Sequence, residues 1–71
     1  MNKTFAYHKP SPDGLERITE LRWRFSGIQD AILDDCPESR ERATALTRLE
    51  EAAMWAIKAV VINDPDSVVE G

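Results

Sequence analysis

Two apolar seams of identical spacing constrain this chain more than any other feature. Ile18, Leu21, Phe25, Ile28 and Ile32 follow one another at intervals of 3, 4, 3 and 4, and Leu46, Leu49, Ala53, Ala56 and Val60 repeat those intervals. With about 3.6 residues per turn, such a row stays on one side of an α-helix, so each segment reads as a helix with one face made to lie against another. The punctuation agrees. Pro10-Ser11-Pro12-Asp13-Gly14 breaks the chain and then starts a helix, with Ser11 as N-cap and Pro12 at the first helical position, where its missing N–H costs nothing. The first helix is expected over about residues 12–33. Asp34 to Ser39 is a short polar connection of the length that joins antiparallel neighbours, and Ser39 or Asp35 is the expected cap of the next helix. That second helix is expected over about residues 39–63, because Pro65 disfavours helical geometry at Asp64. Residues 1–10 show no sustained periodicity, and residues 64–71 read as a polar, frayed tail. The expected fold is all-α: a single domain over residues 1–71, folded as an antiparallel two-helix hairpin.

A chain of 71 residues buries only about 60% of the surface it exposes when unfolded, which leaves an isolated copy near the limit of stability. The usual supports are disulfides, a structural metal or self-association. Cys36 is the single cysteine and His8 the single histidine, so no disulfide within the chain and no three- or four-ligand zinc site is expected. Self-association remains, and the second helix supplies a reason for it. Ten of the eleven residues from Ala52 to Ile62 are apolar, whereas a hairpin offers one partner helix and covers one face. Met54, Trp55 and Val61 turn away from the seam and are expected to be wet in a monomer, so a compact homo-oligomer is expected to complete the core.

Several function classes are disfavoured. Met1 to Thr4 does not open the apolar core of a secretory signal, and the longest apolar run is too short to span a bilayer and contains Lys58. A cytoplasmic protein without membrane contact is expected, which also suits an unpaired thiol. The net charge of −4 argues against a partner such as DNA or RNA polymer, which demands a broad basic surface. No nucleophile–base pair is evident, because His8 is the only imidazole and lies in the irregular N-terminal segment. Glu16/Glu20 and Glu50/Glu51 have the spacing of solvated helix faces, and the three glycines form no phosphate loop. An enzyme is not expected, nor a cofactor.

Charge is nonetheless clustered. Residues 1–24 carry a net +2, residues 25–39 −4, residues 40–48 +2 and residues 49–71 −4. The first basic island combines Tyr7, His8 and Lys9 with Arg17, Arg22, Trp23 and Arg24. An arginine fork matches phosphate oxygens two at a time and an aromatic ring offers a face on which a base stacks, and a nucleotide needs both. Arg17 and Arg24 share a helix face, with Arg22 and Trp23 turned from it. The same arginines can instead pair with Glu16, Glu20 and other exposed acids, and spacing alone leaves both readings open. The second island, Arg40, Arg42 and Arg48, opens the second helix. Cations there oppose the helix dipole, which suggests either pairing with Asp34, Asp35 or Glu38, or a bound anion.

Beyond these patterns the chain resembles a known family. Arg24-Phe25-Ser26, Ile28-Gln29-Asp30, Glu38-Ser39-Arg40-Glu41-Arg42-Ala43 and above all Ala45 to Ala59 are similar to the hairpin domain of phage anti-CBASS cyclic-nucleotide sponges, a domain shared with Thoeris anti-defence sponges. The resemblance covers about residues 5–62 and is most specific from Ser39 to Ala59. It implies a compact homohexamer that binds cyclic dinucleotides, and in some members cyclic trinucleotides at separate sites, without cleaving them. Sequestering the messenger in the host cytoplasm then keeps CBASS effectors silent. In the anti-CBASS branch a tyrosine just before the first helix stacks on a base and a basic residue fifteen positions later meets phosphate. Here those positions hold Tyr7 and Arg22, the latter where lysine is frequent in the family. Arg24 and Arg42 match the family by region, as candidates for a trinucleotide or inter-subunit phosphate site. Two alternatives stand beside this reading: a sponge for Thoeris cyclic ADP-ribose signals, and a helical protein–protein interaction module that docks its Trp55 face on a host protein.

Overall fold

The computed structural model describes the backbone of residues 7–65 and 68–70 and the side chains of residues 9–65. Two helices of equal length, α1 (Pro12–Asp35) and α2 (Arg40–Asn63), form a hairpin, and two short strands, β1 (Tyr7–Lys9) and β2 (Val68–Glu70), pair at its open end.

Each helix starts where its cap satisfies an orphan amide. Ser11 is extended at φ −66° and ψ 167°, and its Oγ accepts the Gly14 N–H at 3.1 Å. Ser39, at φ −170° and ψ 169°, accepts the Arg42 N–H at 3.1 Å in the same way. Between the two candidates for the second cap the chain uses Ser39, and α2 begins one residue after it. α1 runs two residues beyond the expected Leu33 and takes in Asp34 and Asp35. The break is set by Pro37, which forces the preceding Cys36 to φ −103° and ψ 128°, and not by the acidic pair. Cys36 still donates its N–H to the Ile32 carbonyl at 3.0 Å, closing the last turn. α2 stops at Asn63 because Asp64 precedes Pro65 and is extended.

The tail corrects the expectation drawn from sequence. Residues 68–70 are not frayed: they pair antiparallel with β1, in the register Tyr7 with Glu70, His8 with Val69 and Lys9 with Val68. Three-residue strands are too short for a period of two to be read, and their partner lies at the other end of the chain. The hairpin is therefore helical with a small β-ribbon tying its termini.

The molecule measures 43 × 23 × 13 Å. Its least dimension is close to the roughly 10–12 Å diameter of one helix with its side chains, so the two helices lie side by side, and among the described residues no third helix covers either broad face. The core is correspondingly slight. Ile18, at 4% exposure, is the one buried hydrophobic side chain among the described residues. Leu21, Phe25, Leu49, Ala53, Ala56 and Val60 are half-buried. Ile28, expected within the seam, is 49% exposed, while Met54 and Trp55 are 62% and 67% exposed as the helix pattern indicates. Val61 departs from that pattern and is half-buried. α2 is contacted by β1 as well as by α1, so more of it than the seam is covered.

Candidate functional site

Arg22, ten residues into α1, projects over one broad face of the hairpin. It lines an open groove of about 380 Å³ together with Phe25, Gln29, Leu46, Leu49 and Glu50. The apolar members come from the two seams, so the trough lies between the helices. Arg22 is exposed and has no hydrogen bond or ion pair among the described residues. A guanidinium left unpaired beside an apolar trough can take an anionic group while the trough receives its uncharged part.

Arg24 lies elsewhere. Two residues apart on a helix means about 200° of rotation, and Arg24 lines a separate groove with Arg17, Leu21 and Val60. Its guanidinium donates to Glu20 at 2.6 Å across one helical turn. Both side chains of that pair are well exposed, so the bond adds little stability and leaves Arg24 able to exchange Glu20 for another anion. Arg42 sits at the opposite end of the hairpin from the ribbon and donates to the Cys36 carbonyl at 3.3 Å. That contact corrects the expected pairing with Asp34, Asp35 or Glu38: the cation neutralises the carbonyl end of α1, where the helix dipole favours it. Arg48 pairs with Glu51 at 3.0 Å within its own helix. Trp23, at 75% exposure, presents a bare ring on the outer side of α1, and Lys58 Nζ lies 5.3 Å from the ring centre of Trp55 on the outer side of α2.

Tyr7 belongs to β1, and its side chain falls outside the described residues. Arg22 stands about 15 Å along α1 from Pro12, taking a rise of about 1.5 Å for each residue. Of the candidate ligand-binding residues whose side chains are described, Arg22, Arg24 and Arg42 share no groove within one copy. Tyr7 is at the ribbon, Arg22 in one groove, Arg24 in another, and Arg42 by the connection between helices.

The open end of the hairpin carries a cluster that sequence reasoning missed. Asp64, the first residue past α2, accepts from both the Ser11 hydroxyl at 2.6 Å and the Ser11 N–H at 3.2 Å. Ser11 is itself buried at 8% exposure. The carboxylate thus sits at the N-terminus of α1, where unpaired amides and the helix dipole stabilise negative charge. Gly14 makes room for it: a Cβ at that position would collide with Asp64 Oδ2. Pro12 and the Ser11 cap were legible, but the carboxylate arrives from 53 residues away, and no local pattern announces such a contact.

Among the described residues no group of three His, Cys, Asp or Glu side chains could hold a metal ion, and no helix is long and apolar enough to cross a membrane. Neither a curated protein nor a solved structure matches the chain significantly. A family model described as Acb2/Tad1, hairpin domain, does match, over residues 1–61, which spans β1, α1 and all but the last two residues of α2. On that match over most of its length, the chain belongs to the Acb2/Tad1 hairpin-domain family of phage anti-CBASS and anti-Thoeris sponges.

Proposed function

We propose that this protein is a non-catalytic sponge, which as a homo-oligomer captures cyclic di- or trinucleotide messengers and holds them intact, keeping host CBASS effectors inactive. Family membership supports the sponge role for cyclic nucleotide signals. The observation that carries the further step is the scatter of the candidate cations over a hairpin with one buried hydrophobic side chain among those described. A pocket that encloses a nucleotide then has to be built between copies, with Arg22 of one facing the Tyr7 segment of another. In such a pocket Arg22 meets a phosphate and Tyr7 stacks on a base, while Arg24 and Arg42 serve a separate inter-subunit phosphate site. Charge-assisted arginine contacts contribute about 1.5–3 kcal/mol each and stacking about 1–3 kcal/mol per base, enough for tight capture when two symmetry-related sets act on one cyclic ligand. Sequestration requires only this affinity and slow release.

Isothermal calorimetry with a panel of cyclic di- and trinucleotides, followed by mass analysis of ligand recovered after heat denaturation, tests the proposal. Saturable binding with recovery of unaltered ligand is expected. A folded protein that binds none of the panel contradicts it, and recovered linear product contradicts the non-catalytic part. Cyclic ADP-ribose isomers in the same panel separate a CBASS from a Thoeris preference. The exposed Trp23 and Trp55 rings favour one second reading, an interaction module that docks on a host protein; a stable monomer at micromolar concentration is the outcome that supports it.

A further inference from the structure

The carboxylate at the open end of the hairpin lies outside the family match, which stops at residue 61, and yet it grips the segment that carries Tyr7 into α1. Ser11 follows β1 by two residues and opens α1, so whatever holds Ser11 fixes the direction in which β1 leaves the helix. Two donors of Ser11 converge on one oxygen of Asp64, and the Ser11 hydroxyl passes the connection on by accepting the Gly14 N–H at 3.1 Å. Beyond Asp64 the chain supplies β2, which pairs with β1 from Tyr7 to Lys9. The segment bearing Tyr7 is therefore tied twice, at its helix junction by Asp64 and along its length by β2. Three ladder pairs alone are a weak tie, since an isolated two-stranded ribbon is marginal in water, so the junction decides. Gly14 leaves room for that approach, because a Cβ there would meet the Asp64 carboxylate oxygen.

We propose that Asp64 is a positioning residue for ligand capture: by clamping Ser11 it sets where Tyr7 stands relative to Arg22, and so presets the stacking platform. The role rests on the proposed contact of Tyr7 with a base. Asp64 itself touches no ligand. Its carboxylate is already engaged by Ser11, and negative charge is the wrong sign for meeting phosphate.

Tyr7 is the only tyrosine of the chain, so fluorotyrosine labelling of the full-length protein gives one fluorine resonance that reports on that ring. The proposal is tested with that resonance and with calorimetric affinity for a cyclic dinucleotide, in Asp64→Ala, Asp64→Asn and, as a control, Ser39→Ala. Ser39→Ala removes the other helix cap at the far end of the hairpin, at a comparable cost in helix stability. Asp64→Ala is expected to move the resonance toward its position in the unfolded chain and to weaken binding roughly tenfold, the weight of one lost stacking contact. Asp64→Asn keeps an oxygen for the Ser11 donors and is expected to restore most of both. Ser39→Ala is expected to lower thermal stability with both readouts unchanged. Asp64→Ala with the wild-type resonance and affinity overturns the proposal, as does Ser39→Ala weakening binding equally. Should Asp64→Ala not fold, Ser11→Gly, which removes the hydroxyl and keeps the N–H, is read in the same way. If the wild type binds no cyclic nucleotide while the resonance still moves in Asp64→Ala, the clamp stands and the ligand reading falls.

Discussion

At the scale of single residues, side chains that act on a ligand differ from those that hold the chain in place. Arg22 is the first kind. It is exposed, unpaired among the described residues, and set beside an apolar trough, so replacing it alters charge without removing any described contact. Arg22→Ala is expected to weaken cyclic dinucleotide binding by roughly 10- to 100-fold, the loss of one charge-assisted contact, with the melting temperature unchanged. Arg22→Lys keeps the charge but loses the fork, and calorimetry should place it between the two. Wild-type affinity in Arg22→Ala would move the phosphate contact elsewhere. Gly14 is the second kind. Alanine there raises helix propensity by up to about 1 kcal/mol, but it expels the Asp64 carboxylate and forfeits hydrogen bonds to a charged group worth about 1.5–3 kcal/mol. The lost hydrogen bonds outweigh the gain in propensity. Gly14→Ala is expected to lower the melting temperature by several degrees, at roughly 4–8 °C per kcal/mol for a domain of this size, and a rise would show that the clamp contributes nothing.

At the scale of elements, the sequence was legible wherever structure is decided within a turn or two of chain. The caps Ser11 and Ser39, Pro12 at the first helical position, and the end of α2 before Asp64 and Pro65 all depend on neighbours a few residues away. The Glu20–Arg24 pair is of the same kind, four residues apart on one face. Non-local features escaped. β1 and β2 are three residues each and find one another from opposite ends of the chain, and Asp64 meets Ser11 from 53 residues further along the sequence. The extension of α1 to Asp35 escaped for a different reason: acidic residues resemble a polar connection, whereas the constraint comes from the ring of Pro37 on Cys36. The candidate site divides in the same way. Two islands of positive charge could be seen, but the destination of each guanidinium could not, and Arg42 turns to a backbone carbonyl that no pattern of charges foretells. The pairing of Tyr7 with Arg22 came from resemblance to a family, since nothing in the spacing of the two residues requires it.

The whole molecule is a slab one helix thick, and its energetics reflect that shape. With Ile18 as its buried hydrophobic side chain among those described, a lone copy gains little of the burial, at about 25 cal/mol per Å², that offsets conformational entropy. The exposed rings of Trp23 and Trp55 lie on outer sides of the hairpin, where neighbouring copies can cover them. Stability should accordingly rise with protein concentration, as mass action requires when folding and assembly are linked. If Trp55 is enclosed by assembly, Trp55→Ala should cost about 3–5 kcal/mol and shift the oligomer toward unfolded monomer in sedimentation experiments. An unchanged sedimentation profile would place Trp55 outside the interface. Native mass spectrometry of the untagged protein with a cyclic dinucleotide reads assembly and capture in one spectrum. A homo-oligomer carrying a whole number of ligands at unaltered mass is the expected result; a folded monomer without ligand at micromolar concentration would contradict capture by an assembled sponge.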